Sequence, residues 1–281
     1  MSAMTGSATD SAIVPETVAS AERVSGAGRG FGIDIGGSGI KGCPVDLVAG
    51  AFAADRLRTP TPSPSTPTAV AAVVADIVRA FGDAAGTGPV GVTFPAVIQR
   101  GVARTAANVD KSWIGADVQT LLQSTLGRPV RVVNDADAAG YAEVRFGAAK
   151  DATGTVFMAT LGTGIGSALI VDGVLVPNTE FGHLEVDGKD AETRAADSAR
   201  ERDDLTWQQW AKRLTKYFQA IERLLWPDLI VVGGGVSKKA DKFLPLLELR
   251  TPIVPSTLRN DGGIIGAALL AVEGNRAAVA D

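Results

Sequence analysis

Residues 31–42 read FGIDIGGSGIKG, an apolar strand that carries Asp34 and then enters a glycine-rich turn containing Ser38 and Lys41. Glycine turns after strands often bind phosphate, because their exposed backbone N–H groups can approach an anion closely. This turn is not a P-loop, since that motif requires Ser or Thr directly after its lysine and Gly42 stands there. The carboxylate of Asp34 would repel a phosphate. If the turn binds phosphate, we therefore expect a cation beside Asp34 to offset its negative charge.

Composition describes a globular protein and excludes several classes. The chain has 281 residues, of which 46% are hydrophobic and 21% charged, so one large domain or two medium ones can each bury a core. The net charge of -4 does not indicate a nucleic-acid or anionic-membrane partner. The single cysteine, Cys43, excludes an intramolecular disulfide and a cysteine-based zinc cage. Residues 1–28 lack an apolar signal region and are predicted to be a disordered tail of a cytoplasmic protein.

Strands alternate with helices along the chain, which predicts an α/β architecture. Strands are predicted at 30–37, 41–46, 50–57, 89–94, 130–135, 155–162, 167–173 and 228–235, and helices at 69–81, 118–126, 136–146, 192–202, 207–225 and 262–272. The proline-rich segment TPTPSPSTPT (59–68) predicts an irregular connector, because each proline fixes φ and removes a donor. Hairpins beside glycine turns in both halves predict mixed sheets, and their similar order suggests a duplicated unit.

Two further glycine turns lie in the second half. LGTGIGSALIVDG (161–173) departs from a dinucleotide fingerprint, because Ser167 replaces the last glycine and an apolar strand follows it. It predicts a hairpin that offers backbone N–H groups and the Thr163 hydroxyl to a phosphate, with a ligand-free tight turn as the alternative. DLIVVGGGVSKKAD (228–241) can seat a nucleotide base or ribose through close backbone approach, or is an ordinary turn.

The segment RVVNDADAAG (131–140) places Asp135 at the carboxyl end of a buried strand, where ligands of α/β proteins bind. A general base is the natural role for this carboxylate, and a helix N-cap is the alternative. Asn134 and Asp137 stand beside it and can provide the cap instead. The segment PNTEFGHLEVDG (177–188) holds the only histidine, His183, close to Glu180, a pair suited to sugar hydroxyls or to a structural role.

These stretches, in this order, resemble the ROK family of sugar kinases from about Gly30 onward. DIGGSGIKG resembles the family's first phosphate turn, VVNDADAAG its catalytic segment, LGTGIGSALI its second phosphate turn, EFGH its sugar-binding motif and DLIVVGGG its adenosine-side strand. The resemblance implies an actin/hexokinase-like (ribonuclease H-like) two-lobed α/β fold with mixed sheets and an interlobe cleft. Longer strings such as RTAANVDKSWIG and WPDLIVVGGGVSKKADKFLPLLE resemble the actinobacterial polyphosphate glucokinases of the family, some of which also accept ATP or mannose.

The resemblance implies a role for each matching residue. Asp135 would deprotonate the 6-hydroxyl of glucose, or of mannose. Other sugar hydroxyls would be bound by Asn108, Asn134, Glu180, His183 and Glu192. The phosphate groups would lie on Gly36, Gly37, Ser38, Gly39, Lys41, Gly162, Thr163 and Gly164, and a nucleotide on Gly233, Gly234 and Gly235. Asp34 would hold Mg²⁺ through water, and this cation would balance the charge at the first turn.

The same resemblance implies a homodimer that uses polyphosphate or ATP and binds neither nucleic acid nor membrane. Many members carry a cysteine-rich zinc motif after the histidine, but GKDAETRAADSAR (188–200) stands there, so no structural zinc is expected. Predicted domains are the tail 1–28, a small lobe 29–133, a large lobe 134–261 and a C-terminal helix 262–281 that packs on the small lobe. The alternatives are an ATP-only ROK hexokinase and a non-catalytic sugar-sensing ROK regulator.

A polyphosphate chain also requires a basic track outside the glycine turns. Its candidate residues are Lys41, Arg104, Lys111, Arg145, Lys150, Lys238, Lys239 and Lys242. Whether they form one groove depends on the fold, and scattered solvated side chains are the alternative.

Overall fold

The structure, a computed structural model, describes residues 28–107 and 109–280, without the side chains of 276–280. The predicted tail and Asn108 therefore lie outside the described residues, apart from Gly28. The strands are β1 Arg29–Ile35, β2 Ile40–Asp46, β3 Ala51–Phe52, β4 Leu57–Thr59, β5 Val90–Phe94, β6 Ile98–Gln99, β7 Val102–Ala103, β8 Val130–Asn134, β9 Thr155–Leu161, β10 Ile165–Val171, β11 Val174–Val176, β12 Glu185–Val186, β13 Lys189–Asp190, β14 Leu229–Gly233 and β15 Ile253–Pro255. The α-helices are α1 Pro67–Ala80, α2 Val118–Leu126, α3 Asp135–Phe146, α4 Glu192–Ala195, α5 Asp197–Arg202, α6 Trp207–Leu225 and α7 Gly262–Ala280.

Two mixed sheets form the centres of the two lobes. The first has the order β3-β2-β1-β5-β8, with β4 also paired to β2, and the second has the order β11-β10-β9-β14-β15. In each sheet an antiparallel hairpin, β1–β2 or β9–β10, is continued by parallel strands on the other side of its first strand. This arrangement confirms the predicted two-lobed α/β fold with mixed sheets. Each hairpin contains a glycine turn, at Gly36–Gly39 in the first sheet and at Gly162–Gly164 in the second.

Two helices cross between the lobes. Helix α3 follows β8 of the first sheet but packs on β9 and β10 of the second, whereas α7 follows β15 of the second sheet and packs on β1 and β5 of the first. The helices touch each other where Gly266 lies on the backbone of Ala138, and a Cβ at Gly266 would overlap that carbonyl. The start of α3, and with it Asp135, is therefore fixed by contacts with both halves of the molecule.

Local sequence explains where the long helices begin. Helix α1 has Pro67 in its first turn, where a missing N–H costs nothing. Thr206 and Gln209 form a reciprocal capping box at the start of α6. Asp117 caps α2, which ends at Gly127 in the left-handed conformation. None of the helices that the described ranges contain has the length and apolar character that a membrane crossing requires.

Some predicted boundaries were wrong. The single strand predicted at 50–57 is two short strands, β3 and β4, because the chain leaves the edge of β2 between them. The helix predicted at 192–202 is broken at Ala196, whose ψ of 156° is extended and separates α4 from α5. The apolar run predicted as a helix at 262–272 continues to Ala280, within the C-terminal helix of 262–281 that the domain prediction gave. None of these differences moves a predicted site residue to another part of the fold.

Candidate active site

A cavity of about 630 Å³ lies between the two lobes. Its walls bring together these residues that the sequence predicted for the site: Asn134, Asp135, Gly162, Thr163, Gly164, Glu180, His183, Glu192 and Gly234. A larger cavity of about 880 Å³ lies along β8 and shares Asn134, but it contains neither Asp135 nor a glycine turn. The chemistry therefore points to the smaller cavity as the candidate active site.

Asp135 is the first residue of α3 and opens into this cavity. The helix is capped by Asn134, whose Oδ1 accepts the N–H groups of Ala136 at 2.9 Å and Asp137 at 3.1 Å. Asn134 therefore provides the N-cap for which Asp135 was the alternative. Asp135 Oδ1 also accepts the Ala136 N–H, at 2.9 Å. Its carboxylate remains directed at the cavity.

The surrounding protein raises the pKa of the Asp135 carboxylate, which makes it a stronger base. Desolvation by the walls of the cleft, followed by the negative charge of Asp34, raises the pKa of Asp135 to about 6. The side chain touches the open cavity, but protein atoms enclose it on the other sides. At neutral pH Asp135 is therefore mostly ionised, with a higher proton affinity than an ordinary aspartate.

The first glycine turn joins β1 to β2, and its charge is balanced within the chain. Asp34 Oδ2 accepts a hydrogen bond from Lys41 Nζ at 2.8 Å, and its Oδ1 accepts one from the Thr93 hydroxyl at 2.8 Å. The turn closes through Gly36 N–H, which donates to the Gly39 carbonyl at 3.1 Å. Gly37 and Ser38 remain exposed at its tip. The cation that the carboxylate requires is thus already supplied in part by Lys41, which the sequence analysis assigned to phosphate.

The second glycine turn joins β9 to β10 without an ion pair. Gly162 N–H donates to the Gly164 carbonyl at 2.9 Å, and Glu192 Oε2 accepts the Ile165 N–H at 2.8 Å. Ser198 fixes the other side, because its N–H donates to Gly162 O at 3.0 Å and its hydroxyl to Thr163 O at 2.6 Å. One oxygen of Glu192 therefore supports the turn, and its sugar-binding role stays a prediction. The exposed Thr163 hydroxyl and nearby amides line the cavity.

The third glycine segment begins at the end of β14. Gly234 has a φ of 82° and rests on the backbone of Leu161, where a Cβ would overlap the carbonyl oxygen. Gly233 packs against Met158, and Gly235 has open space around its Cα. Only Gly234 of these three lines the cavity. Their nucleotide-binding role stays a prediction.

Glu180 and His183 lie on a loop that is anchored to β10. The Ser167 hydroxyl donates to Thr179 O at 2.6 Å and accepts the Phe181 N–H at 2.9 Å. His183 Nδ1 pairs with Asp190 Oδ2 at 2.8 Å, which leaves Nε2 for a ligand. The hydrogen bond to Asp190 raises the pKa of His183, while burial raises the pKa of Glu180. A hydrogen-bonding pair of this kind suits the hydroxyl groups of a sugar.

A latch between the lobes, formed by Asn178 and Ile98, was not predicted from the sequence. Asn178 Oδ1 accepts the Ile98 N–H at 2.7 Å, and its Nδ2 donates to Ile98 O at 2.8 Å. The Asn178 N–H donates to the buried carboxylate of Asp137 at 2.7 Å. The latch therefore connects β6, α3 and the loop that carries Glu180. Thr93 and Asp190 were also missed, since nothing in their local sequence identifies the carboxylate or histidine they contact.

The side chains present fit a magnesium ion only if the phosphate donor supplies further ligands. Within the described ranges there is no group of three His, Cys, Asp or Glu side chains arranged to hold a metal. Asp34 and Asp135 are nevertheless close enough for one charge to raise the pKa of the other. Mg²⁺ commonly uses one or two carboxylates, several waters and substrate phosphates, so this carboxylate pair fits such a site.

Comparisons with known proteins identify the family of this chain. Residues 30–196 match the ROK family. This chain belongs to the ROK family. A polyphosphate glucokinase from Mycobacterium tuberculosis is 56% identical over 245 residues, which cover 87% of this chain and 91% of the relative. A polyphosphate glucokinase from Mycobacterium leprae is 54% identical over 242 residues, which cover 86% of this chain and 74% of that one.

Solved structures extend the similarity to three dimensions. The inorganic polyphosphate/ATP-glucomannokinase from Arthrobacter sp. strain KM has a TM-score of 0.83 and 56% identity, covering 88% of this chain and 99% of that one. A ROK family glucokinase from Streptomyces griseus, in complex with glucose and AMPPNP, has a TM-score of 0.75 at 22% identity, covering 88% and 100% of the two chains. The second likeness supports the fold alone. The actin/hexokinase-like fold expected from the ROK resemblance is confirmed.

Proposed function

We propose that this protein transfers a phosphoryl group from inorganic polyphosphate, and also from ATP, to the 6-hydroxyl of glucose, with mannose as a second acceptor. The observation that carries the proposal is the cavity itself, where Asp135 shares the walls with the glycine turn Gly162–Gly164 and with Glu180 and His183. The similarity to polyphosphate glucokinases and to a polyphosphate/ATP-glucomannokinase supports the choice of donor and acceptor.

The proposed reaction needs one base and accurate positioning. The 6-hydroxyl oxygen attacks the terminal phosphorus, a new O–P bond forms, and the bond from that phosphorus to the remaining donor breaks. The proton of the hydroxyl goes to Asp135, while the shortened donor keeps the bonding electrons and is held at the glycine turns. Glu180, His183 and Asn134 orient the sugar, so that its hydroxyl and the base stay aligned.

Charge on the donor is proposed to be stabilised from both turns. Backbone N–H groups at Gly37–Ser38 and Thr163–Gly164 provide neutral donors, and Lys41 provides a positive charge beside Asp34. Mg²⁺, when bound through Asp34 and water, would reduce the negative charge of the phosphate oxygens. We further propose a cytoplasmic homodimer, for which the support is the family resemblance rather than a feature of this chain.

Asp135→Asn tests the mechanism. Sugar 6-phosphate formation is followed in a coupled assay with glucose or mannose as acceptor and long-chain polyphosphate or ATP as donor. The variant is expected to lower kcat by about 10²–10⁴-fold with both donors, because an amide cannot accept the hydroxyl proton. Asp151→Asn removes an equal charge from an exposed turn and is the matched control.

Two results would contradict parts of the proposal. An Asp135→Asn enzyme with an undiminished kcat would exclude Asp135 as the base. A wild type that is active with ATP but inactive with polyphosphate would replace the proposed donor with the ATP-only alternative, while leaving the base assignment in place.

A further inference from the structure

A cluster of three cations surrounds one aromatic ring at the edge of the second lobe. Trp207, the first residue of α6, has the Arg200 guanidinium carbon 4.5 Å from its ring centroid. Lys239 Nζ and Lys242 Nζ each lie 5.9 Å from the same centroid. The ring of Phe243 stacks beside Trp207 at 6.1 Å with an interplanar angle of 16°. We call Trp207, Arg200, Lys239 and Lys242 the Trp207 cluster.

The charges in this cluster are not equally compensated. Arg200 pairs with Asp197 at 2.7 Å and with Glu201 at 3.1 Å. Lys239 and Lys242 are exposed, and neither forms an ion pair with any residue of the described ranges. A cation is attracted to the face of a tryptophan, but two ammonium groups on the same ring repel each other. An anion that lies between the two lysines would relieve this repulsion.

The cluster is continuous with the second glycine turn. Helix α5 carries Ser198, which binds Gly162 O and Thr163 O, and Arg200 follows two residues later. The other approach starts at Gly234, which rests on Leu161 at the end of β9. The 3₁₀ segment Gly235–Lys242 begins at the next residue and carries both lysines. Two short segments thus lead from the proposed phosphate turn to the same aromatic ring.

Three of the other basic residues that the sequence suggested for a polyphosphate track are already engaged elsewhere. Lys41 pairs with Asp34, and Arg145 pairs with Glu273. Lys111 Nζ donates to Ala106 O at 2.8 Å. Arg104, Lys150 and Lys238 are also exposed without an ion pair within the described ranges, but Lys239 and Lys242 are the candidates that lie against the Trp207 ring on a segment leading to the second turn.

We propose that Lys239 and Lys242 bind phosphate groups of inorganic polyphosphate that lie beyond those held at the glycine turns. This inference rests on the proposed function. Polyphosphate and ATP present the same reacting end but differ further along the donor, where ATP carries a nucleoside and polyphosphate carries one negative charge per phosphate. Trp207 acts as a positioning residue, because both ammonium groups lie 5.9 Å from its ring centroid.

The double variant Lys239→Gln/Lys242→Gln tests the inference in steady-state kinetics at several salt concentrations. The donors are long-chain polyphosphate, tripolyphosphate and ATP. With long-chain polyphosphate, KM is expected to rise about tenfold. The slope of log KM against log salt is expected to become shallower by about 1.4, since each of the two lost phosphate contacts removes about 0.7 of slope for a single-stranded polyanion. With tripolyphosphate and ATP, KM is expected to change by less than about twofold, and kcat to stay unchanged with all three.

Lys212→Gln/Arg223→Gln is the matched control, because it removes two exposed cations of α6 outside the cluster. It is expected to leave every KM and the salt slope unchanged. Trp207→Leu, which keeps both lysines but removes the ring that aligns them, is expected to raise KM for long-chain polyphosphate by about threefold, the equivalent of the modest energy of an exposed cation–π contact.

The possible failures can be told apart. An active wild type whose long-chain KM and salt slope do not respond to the lysine variant would overturn this inference and leave the proposed function standing. An equal rise in KM for ATP, tripolyphosphate and long-chain polyphosphate would also overturn it, because the lysines would then act on the end common to all donors. A wild type that does not use polyphosphate would overturn the proposed donor and this inference together.

Discussion

The two halves of the molecule share one backbone plan but supply different chemistry. Each sheet combines a hairpin that contains a glycine turn with parallel strands, and each sends its last helix across to the other lobe. At the start of α3 the first half places Asp135 and Asp137, whereas α7 of the second half starts with Gly262 and Gly263. Similar topology therefore does not imply similar function, because of these two helices only α3 carries acidic residues within its first turn.

The two turns show the same contrast. The first is accompanied by the Asp34–Lys41 ion pair, whereas the second is supported by a carboxylate, Glu192, that accepts a backbone N–H. At the cross-strand position that corresponds to Asp34 and Lys41, the second hairpin pairs Thr160 with Gly166. The first half thus provides the charges and the proposed base, and the second half provides amides, hydroxyls and the sugar loop.

The crossing of α3 and α7 is the feature on which both halves depend most. Gly266→Ala would push a methyl group into the Ala138 backbone, so we expect a loss of about 3 kcal/mol or more in the free energy of unfolding. Gly274→Ala on the same helix meets only the movable side chain of Arg131. Its stability is expected to change by less than about 1 kcal/mol, because alanine also favours the helix.

Chemical denaturation of both variants measures this difference. Equal stability of the two variants would show that the helix crossing tolerates a methyl group and that the two halves are less closely fitted than the contact implies.

Asp34→Asn removes the charge that distinguishes the first turn from the second. It removes the second-largest cause of the raised pKa of Asp135, so that pKa falls. A base with a lower pKa stays ionised in more acidic solution. In a plot of log kcat against pH, the fall on the acidic side, expected near pH 6 in the wild type, therefore moves to lower pH. The maximal kcat is expected to drop by about tenfold to a hundredfold, since the first turn loses its Lys41 contact.

The matched control is Glu192→Gln, which changes the carboxylate beside the second turn. It is expected to leave the pH midpoint in place even if the amplitude changes, because Glu192 is not among the groups that shift Asp135. A midpoint that moves equally in both variants would contradict the assignment of charge to the first turn alone.

Local sequence patterns predicted most of the strands and helices, but they could not predict several side-chain contacts in the site. Asp34, Asp135 and the glycine turns are visible because a strand, a polar residue and a turn follow one another along the chain. Thr93 and Asp190 were missed, because Thr93 reaches Asp34 from a neighbouring strand and Asp190 reaches His183 across a small hairpin. The break at Ala196 was missed because tertiary contacts, rather than helix propensity, decide where α4 ends.

The Asn178–Ile98 latch joins the halves close to the proposed sugar. Asn178 adopts a φ of 61°, so Asn178→Gly preserves the backbone conformation while removing the amide. With two neutral hydrogen bonds lost, each contributing about 1 kcal/mol, KM for glucose is expected to rise by up to about thirtyfold. KM for polyphosphate should stay within about twofold, because the latch holds the Glu180 loop rather than either turn.

Asn260→Gly, at an exposed position before α7, controls for the general effect of introducing glycine. If Asn178→Gly lowers thermal stability but leaves both KM values unchanged, the latch is structural and does not position the sugar loop.

The smallest expected effect concerns His183 and Asp190, an ion pair of the second half that depends on pH, unlike Lys41 and Asp34 in the first half. Asp190 raises the pKa of His183, so Asp190→Asn is expected to lower it. Since His183 is the only histidine in the chain, its ring signals in an NMR titration are unambiguous. Asp187→Asn, on the same hairpin but paired with Lys216, should leave the titration unchanged.

KM for glucose should change by less than about fivefold in Asp190→Asn, because exposed ion pairs contribute little. An unchanged His183 pKa in Asp190→Asn would mean that the pair does not form in solution, and the second half would then have no ionic counterpart to the Asp34–Lys41 pair at its edge of the cleft.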